Sequence, residues 1–130
     1  MREIKFRGKR INNDKWLYGD LIHDNVGGCY VFPIDCAALY KENAILPETL
    51  GQHTGLKDKN GKEIYEGDIV KSIGGKIGYV VFLAQEMGYV VVWDNCDTRL
   101  GHRNRGGGYG DDLSIEVIGN VYDNEELLKK

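Results

Sequence analysis

The stretch RLGHRNRGGGYG, residues 99–110, sets three arginines, a histidine and a tyrosine among five glycines. Guanidinium groups pair with phosphate, and a tyrosine ring can stack on a base, so Arg99, Arg103, Arg105 and Tyr109 are candidate nucleic-acid contacts. The formal net charge of −3 argues against a protein that coats nucleic acid by bulk electrostatics. The competing interpretation is a solvated insertion.

Other residue sets fall short of a reaction. Cys29, Cys36 and Cys96 with His23, His53 and His102 could form a thiolate–imidazole site, but the spacing contains neither C-x-x-C nor H-x3-H. Cys29 and Cys96 lie beside strand patterns and are expected to behave as small apolar residues. There is no G-x-S-x-G, and Ser72 and Ser114 have no base nearby in sequence. Glu63, Glu66 and Asp68 crowd one segment, but paired carboxylates hydrolyse glycosides only at a fixed separation. Asp68 after Gly67 fits a turn group that accepts backbone N–H, and Asp111-Asp112 neighbour the loop arginines. GGKIG at 74–78 is no phosphate-binding loop, because it lacks the Lys-Ser/Thr ending and leads into a strand. We therefore expect no enzyme, no catalytic residue, no metal and no cofactor.

The elements that position these residues are mainly strands. IKF (4–6), KWLYGDLI (15–22) and CYVFPI (29–34) read as strands, with Trp16 and Tyr18 on one face of the second and Leu17 and Leu21 on the other. Pro33 marks an edge or a strand end, which could block or invite strand addition. Residues 35–46 carry Ala37, Tyr40 and Ala44 at helical spacing, ended by Leu46-Pro47. At Asn60-Gly61 a two-residue turn would oppose Lys59 to Lys62 and Asp58 to Glu63, which repel. A three-residue loop with Gly61 left-handed instead pairs Asp58 with Lys62, Lys57 with Glu63 and Leu56 with Ile64. GDIVKSI (67–73), KIGYVVFLA (76–84), YVVVWD (89–94) and SIEVIGNVYD (114–123) follow as strands. NEELLKK reads as one helical turn, and 95–112 as an irregular excursion. Short strands, most preceded by glycine, describe a small barrel.

Eighteen glycines against two prolines fit a chain of many turns, and eight tyrosines favour strands. Residues 1–10 carry five bases and one acid, whereas 111–130 carry six acids and two lysines. MREIKFRGKR has no apolar core of a signal peptide, no run suits a membrane span, and an odd number of cysteines fits reduced thiols. The cytoplasm is the expected compartment.

PETLGQHTGLKDKNGKEIYEGDIV (47–70) and IEVIGNVYDNEELL (115–128) closely resemble the YopX family, small proteins of bacterial phages and prophages. REIKFRGK and WLYGDLI fit it too, while His53 stands where an aromatic residue is expected after Gly-Gln. The resemblance implies a mainly β fold whose C-terminal half is an SH3-like barrel, possible self-assembly, and no activity. Its recognisable residues, Gly67 and Gly119-Asn120 among them, are backbone-shaping types.

The expected organisation is an N-terminal β subdomain over 1–52, a connecting hairpin over 53–66, and an SH3-like barrel over 67–130. The expected role is a non-enzymatic binding or assembly module in the bacterial host cell. It would form a homo-oligomer or bind a protein partner, with Trp16, Tyr18, Tyr30, Phe32 and Tyr40 as possible interface aromatics. The alternative is a nucleic-acid-binding accessory protein using the arginine loop.

Overall fold

The computed structural model describes residues 3–33, 40–93, 97–100 and 115–128. Ala37 of the helical-spacing segment, Cys36, Cys96, His102, Asp111-Asp112 and Ser114 lie outside them. The chain divides into two units, Met1–His53 and Thr54–Lys130. The architecture of the described residues is mainly β, with two antiparallel five-stranded sheets and short 3-10 turns between strands. Among the described residues no helix is long and apolar enough to cross a membrane.

In the first unit, β1 (Phe6–Lys9) pairs with β2 (Trp16–His23), which pairs with β3 (Cys29–Phe32). The alternation of β2 works as its sequence implies: Leu17 and Leu21 pack against the buried cluster of Cys29, Val31 and Ile45. Cys29 is thus a core residue. On the other face the Arg7 guanidinium lies 4.8 Å from the Trp16 ring centroid, and the Lys9 ammonium 5.8 Å. Along Cys29–Val31 the outer side of β3 is bonded by residues 43–45. Ile45 N–H donates to Cys29 O at 3.0 Å, and Asn43 Nδ2 donates to Val31 O at 3.0 Å.

Strand β4 (Gly51–Lys57) begins beside β1, with Arg7 opposite Gly51 and Phe6 opposite Gln52. From Thr54 onward it belongs to the second unit, where the Thr54 hydroxyl donates to Ile64 O of β5 (Glu63–Tyr65) at 2.8 Å. The turn between them is the bulged one. Gly61 has φ +83°, its N–H donates to Asp58 O at 3.0 Å, and Asp58 N–H donates to Lys62 O at 2.8 Å. A Cβ on Gly61 would meet nothing within 4 Å, so its only cost is the left-handed backbone. Gly61→Val is expected to lower stability by about 1–2 kcal/mol. An unchanged denaturant midpoint would contradict this turn geometry.

The Asp58 carboxylate does something the charge pattern did not suggest. It is only 5% exposed. Its Oδ1 accepts N–H from Asn60 at 2.8 Å and Lys62 at 2.9 Å, and its Oδ2 accepts the buried Val117 N–H at 2.9 Å. Burial pushes its pKa up, but the bonds from Val117, Lys62 and Asn60, with the Lys62 charge, outweigh that and hold it below the ordinary value.

The second sheet runs β10-β6-β7-β8-β9. Its strands are β6 (Asp68–Ser72), β7 (Ile77–Leu83), β8 (Gly88–Val92), β9 (Asp97–Arg99) and β10 (Ile115–Asn120). One face is the main core: Val70, Val80, Val91, Ile115 and Val117 are buried with Ile64, and Leu56 packs against them. Among the described residues β9 and β10 do not pair, so the sheet does not close into the barrel expected over 67–130. The reason is local. The free edge of β10 is taken by the hairpin turn, with Lys59 N–H donating to Ile115 O at 3.0 Å and Asp58 capping Val117.

Candidate functional site

Of the candidate nucleic-acid contacts, Arg99 lies among the described residues. Arg99 ends β9, where its Nη2 donates to Glu86 O at 2.7 Å and its Nε lies 3.4 Å from Glu86 Oε2. Its guanidinium is thus tied to the short turn after β7, though so exposed a pair contributes little stability. Arg103, Arg105 and Tyr109 lie outside the described residues. Asp68 is a turn group, as its position after Gly67 implied: Tyr65 N–H donates to Asp68 Oδ2 at 2.7 Å.

Among the described residues of the second unit, a concave feature lies on the face of the sheet away from the main core. β7 is apolar on both faces. Val80 points into the core, while Tyr79 and Val81 are half-buried on the opposite side. A groove of about 370 Å³ opens there, within the size range of ligand pockets. Tyr79 and Val81 form one wall, Val121, Tyr122 and Leu128 the other, and Glu66-Gly67 completes the lining.

Backbone hydrogen bonds join the walls. Gly67, at φ +93°, donates its N–H to Val80 O at 2.8 Å and accepts Val121 N–H at 2.9 Å. The left-handed conformation suits glycine and lets one residue bond both walls at once. The second wall is held by a side-chain-capped turn. Asn120 Oδ1 accepts the N–H of Tyr122 at 3.0 Å and of Asp123 at 2.9 Å. Asn124 Oδ1 accepts Asn120 N–H at 3.2 Å, and the 3-10 turn Glu125–Leu128 follows. Gly119 makes room for this: a Cβ there would stand 2.5 Å from Asn124 Oδ1.

The groove contains no nucleophile–base pair. Its lining is mostly aliphatic and phenolic, and includes Glu66 and Gly67. Apolar surface of this kind favours apolar groups through burial. Sequence reasoning missed Tyr79, Val81 and Tyr122 as a group. The available signal was the loss of polar alternation in KIGYVVFLA, which implies that both faces of that strand need cover.

Among curated proteins, none matches this sequence. The crystal structure of protein EF1440 from Enterococcus faecalis is similar over 99% of this chain and 100% of its own, with a TM-score of 0.59 and 23% identity. At that identity the likeness bears on the fold. The family model for YopX protein matches residues 5–129, from β1 to beyond the last 3-10 turn, and the chain belongs to the YopX family.

Proposed function

We propose that this chain is a non-enzymatic binding module that seats a segment of a partner protein in the groove of its second unit. It would act in the cytoplasm of a bacterial host during phage or prophage life, and self-association of the chain is part of the same role. The supporting observation is the groove: an apolar cleft between β7 and the 121–128 segment, built by the turns at Gly67 and Asn120. These turns contain residues through which the sequence resembles its family.

Nucleic acid is the weaker partner. The described member of the arginine set is bonded to Glu86, and the charged residue lining the groove is Glu66.

Light scattering coupled to size exclusion, at low and moderate salt with and without mixed DNA and RNA oligonucleotides, tests the choice. The expected mass is a multiple of 14.6 kDa that ignores both salt and oligonucleotide. Peptides selected from a random library should lose binding to Val81→Arg, which places a charge in the groove wall. A mass that shifts with oligonucleotide at low salt only would overturn the proposal.

A further inference from the structure

We propose that Asn60 is a site of spontaneous deamidation: the closed Asp58 turn holds the reaction back, and the modified residue opposes re-closure. Asn60-Gly61 is the one Asn-Gly step in the chain. Both residues are exposed, and nothing lies within 4 Å of where a Gly61 Cβ would stand. Water therefore reaches the step, and no side chain crowds the Gly61 nitrogen.

The chemistry needs only water. The Gly61 backbone nitrogen gives up its proton to hydroxide and attacks Asn60 Cγ. The Cγ–Nδ2 bond breaks, Nδ2 leaves as ammonia, and a cyclic succinimide remains. Water then opens the ring. Attack at Cγ leaves aspartate. Attack at the Asn60 backbone carbonyl carbon leaves isoaspartate, whose main chain runs through Cγ. The balance is a water consumed and an ammonia released, with nothing oxidised or reduced.

The folded turn engages each group that must move. Gly61 N–H donates to Asp58 O at 3.0 Å, so removing its proton costs a hydrogen bond. Asn60 Nδ2 donates to Glu116 Oε2 at 3.3 Å, which ties the carboxamide to β10. Asn60 N–H donates to Asp58 Oδ1 at 2.8 Å, which holds the backbone. Cyclisation therefore draws on the fraction of chains whose turn has opened locally. The products meet a changed turn. Aspartate sets a carboxylate where a donor faced Glu116, and like charges so placed repel. Isoaspartate adds a methylene to the main chain between the Asn60 and Lys62 N–H groups, which both donate to Asp58 Oδ1. Because Asp58 Oδ2 also accepts Val117 N–H, the modification loosens the hold on β10.

The test keeps the full chain in mildly alkaline buffer, with and without urea, and follows it by mass spectrometry. A Glu-specific protease releases 49–63, in which Asn60 is the single asparagine. In urea this fragment is expected to exchange NH for O and to elute as two isomers. The isoaspartate isomer should accept a methyl group from an isoaspartyl methyltransferase. The folded chain should react about tenfold more slowly. Glu116→Ala removes one tie and leaves the Asp58 bonds, so it should speed the folded reaction while circular dichroism stays unchanged. Asn60→Asp should lower the urea midpoint, and Glu116→Gln added to it should restore the loss. A fragment left unmodified in urea would overturn the site. Equal rates with and without urea, or no change in Glu116→Ala, would overturn the protection by the turn. Wild-type midpoints in both Asn60→Asp and the isoaspartate-containing chain would overturn the opposition to re-closure.

Discussion

Asp58→Ala should cost this protein roughly 3–4 kcal/mol of unfolding free energy, the largest effect expected of a single polar side chain here. Its carboxylate receives three backbone N–H groups, from Asn60, Lys62 and Val117. The Asn60 and Lys62 donors lie in a part-buried turn and can recover some bonding from water. The Val117 donor is buried and cannot, so its loss carries the full penalty of an unsatisfied group, about 1–3 kcal/mol. Asp58→Asn keeps one acceptor oxygen and should fall between the two. The pH dependence has a definite sign. The folded pKa lies below the ordinary 3.8, so the carboxylate stabilises the fold fully above that value. The contribution is lost as pH falls through the folded pKa. Urea denaturation at neutral and acidic pH should therefore show wild type losing more stability on acidification than Asp58→Asn. Some acid sensitivity will remain in that variant. Asp24, lowered chiefly by the Gly28 N–H, then by Val26 N–H and the Tyr30 hydroxyl, titrates in the same direction. Identical acid limbs for the two proteins would remove the Asp58 latch from the account.

Gly19→Ala should be about as damaging, at roughly 3 kcal/mol, through packing alone. Gly19 lies in β2 one position before Asp20, which pairs with Phe32. A Cβ at Gly19 would stand 2.1 Å from Phe32 O, 2.7 Å from its carbonyl carbon and 2.9 Å from Pro33 Cα. All three atoms are backbone, so no side-chain rotation relieves the overlap and β3 must move off β2. That movement loosens Val31 and Cys29 in the buried cluster that Leu17 and Leu21 pack against. Gly27→Ala is the matched control. Gly27 has φ +92° and nothing within 4 Å of a Cβ, so it loses only the freedom of its backbone, about 1 kcal/mol. Denaturant midpoints should rank wild type, Gly27→Ala and Gly19→Ala in falling order. Equal losses in the two variants would mean that β2 and β3 are not so close at this point.

What could be read from the sequence was what short-range chemistry determines. The left-handed Gly61 was legible because like-charged pairs excluded the tighter turn. The position of Asp58 opposite Lys62 was legible for the same reason, but not the use of its carboxylate, which depends on a strand far along the chain. Strand β9 was hidden because Asp97-Thr98-Arg99 is polar throughout. It exists as a partner for the edge of β8, where Val90, Val91 and Val92 face Arg99, Thr98 and Asp97. The strands of the second sheet were legible from their Val, Ile and Tyr runs between glycine turns, but that β9 and β10 do not pair among the described residues was not, because it turns on the hairpin reaching the β10 edge. The groove was hidden for a similar reason. Tyr79 and Tyr122 are ordinary strand and turn residues until the bonds of Gly67 bring their segments together.

The bond from Val117 to Asp58 also sets a schedule for synthesis. The two residues are separated by 59 positions, and a ribosome adding about 5–20 residues per second needs roughly 3–12 s to cover that interval. Throughout it the hairpin can form locally and Asp58 Oδ1 can accept from Asn60 and Lys62, but Oδ2 has not yet met Val117 N–H. The edge of β6 that β10 will cover is meanwhile unpaired. An open β edge beside Ile69 and Val70 is where a nascent chain is most exposed to pairing with a neighbour. A ribosome that stalls before Ile115 would prolong that exposure, whereas completion of β10 ends it and satisfies the turn in the same step.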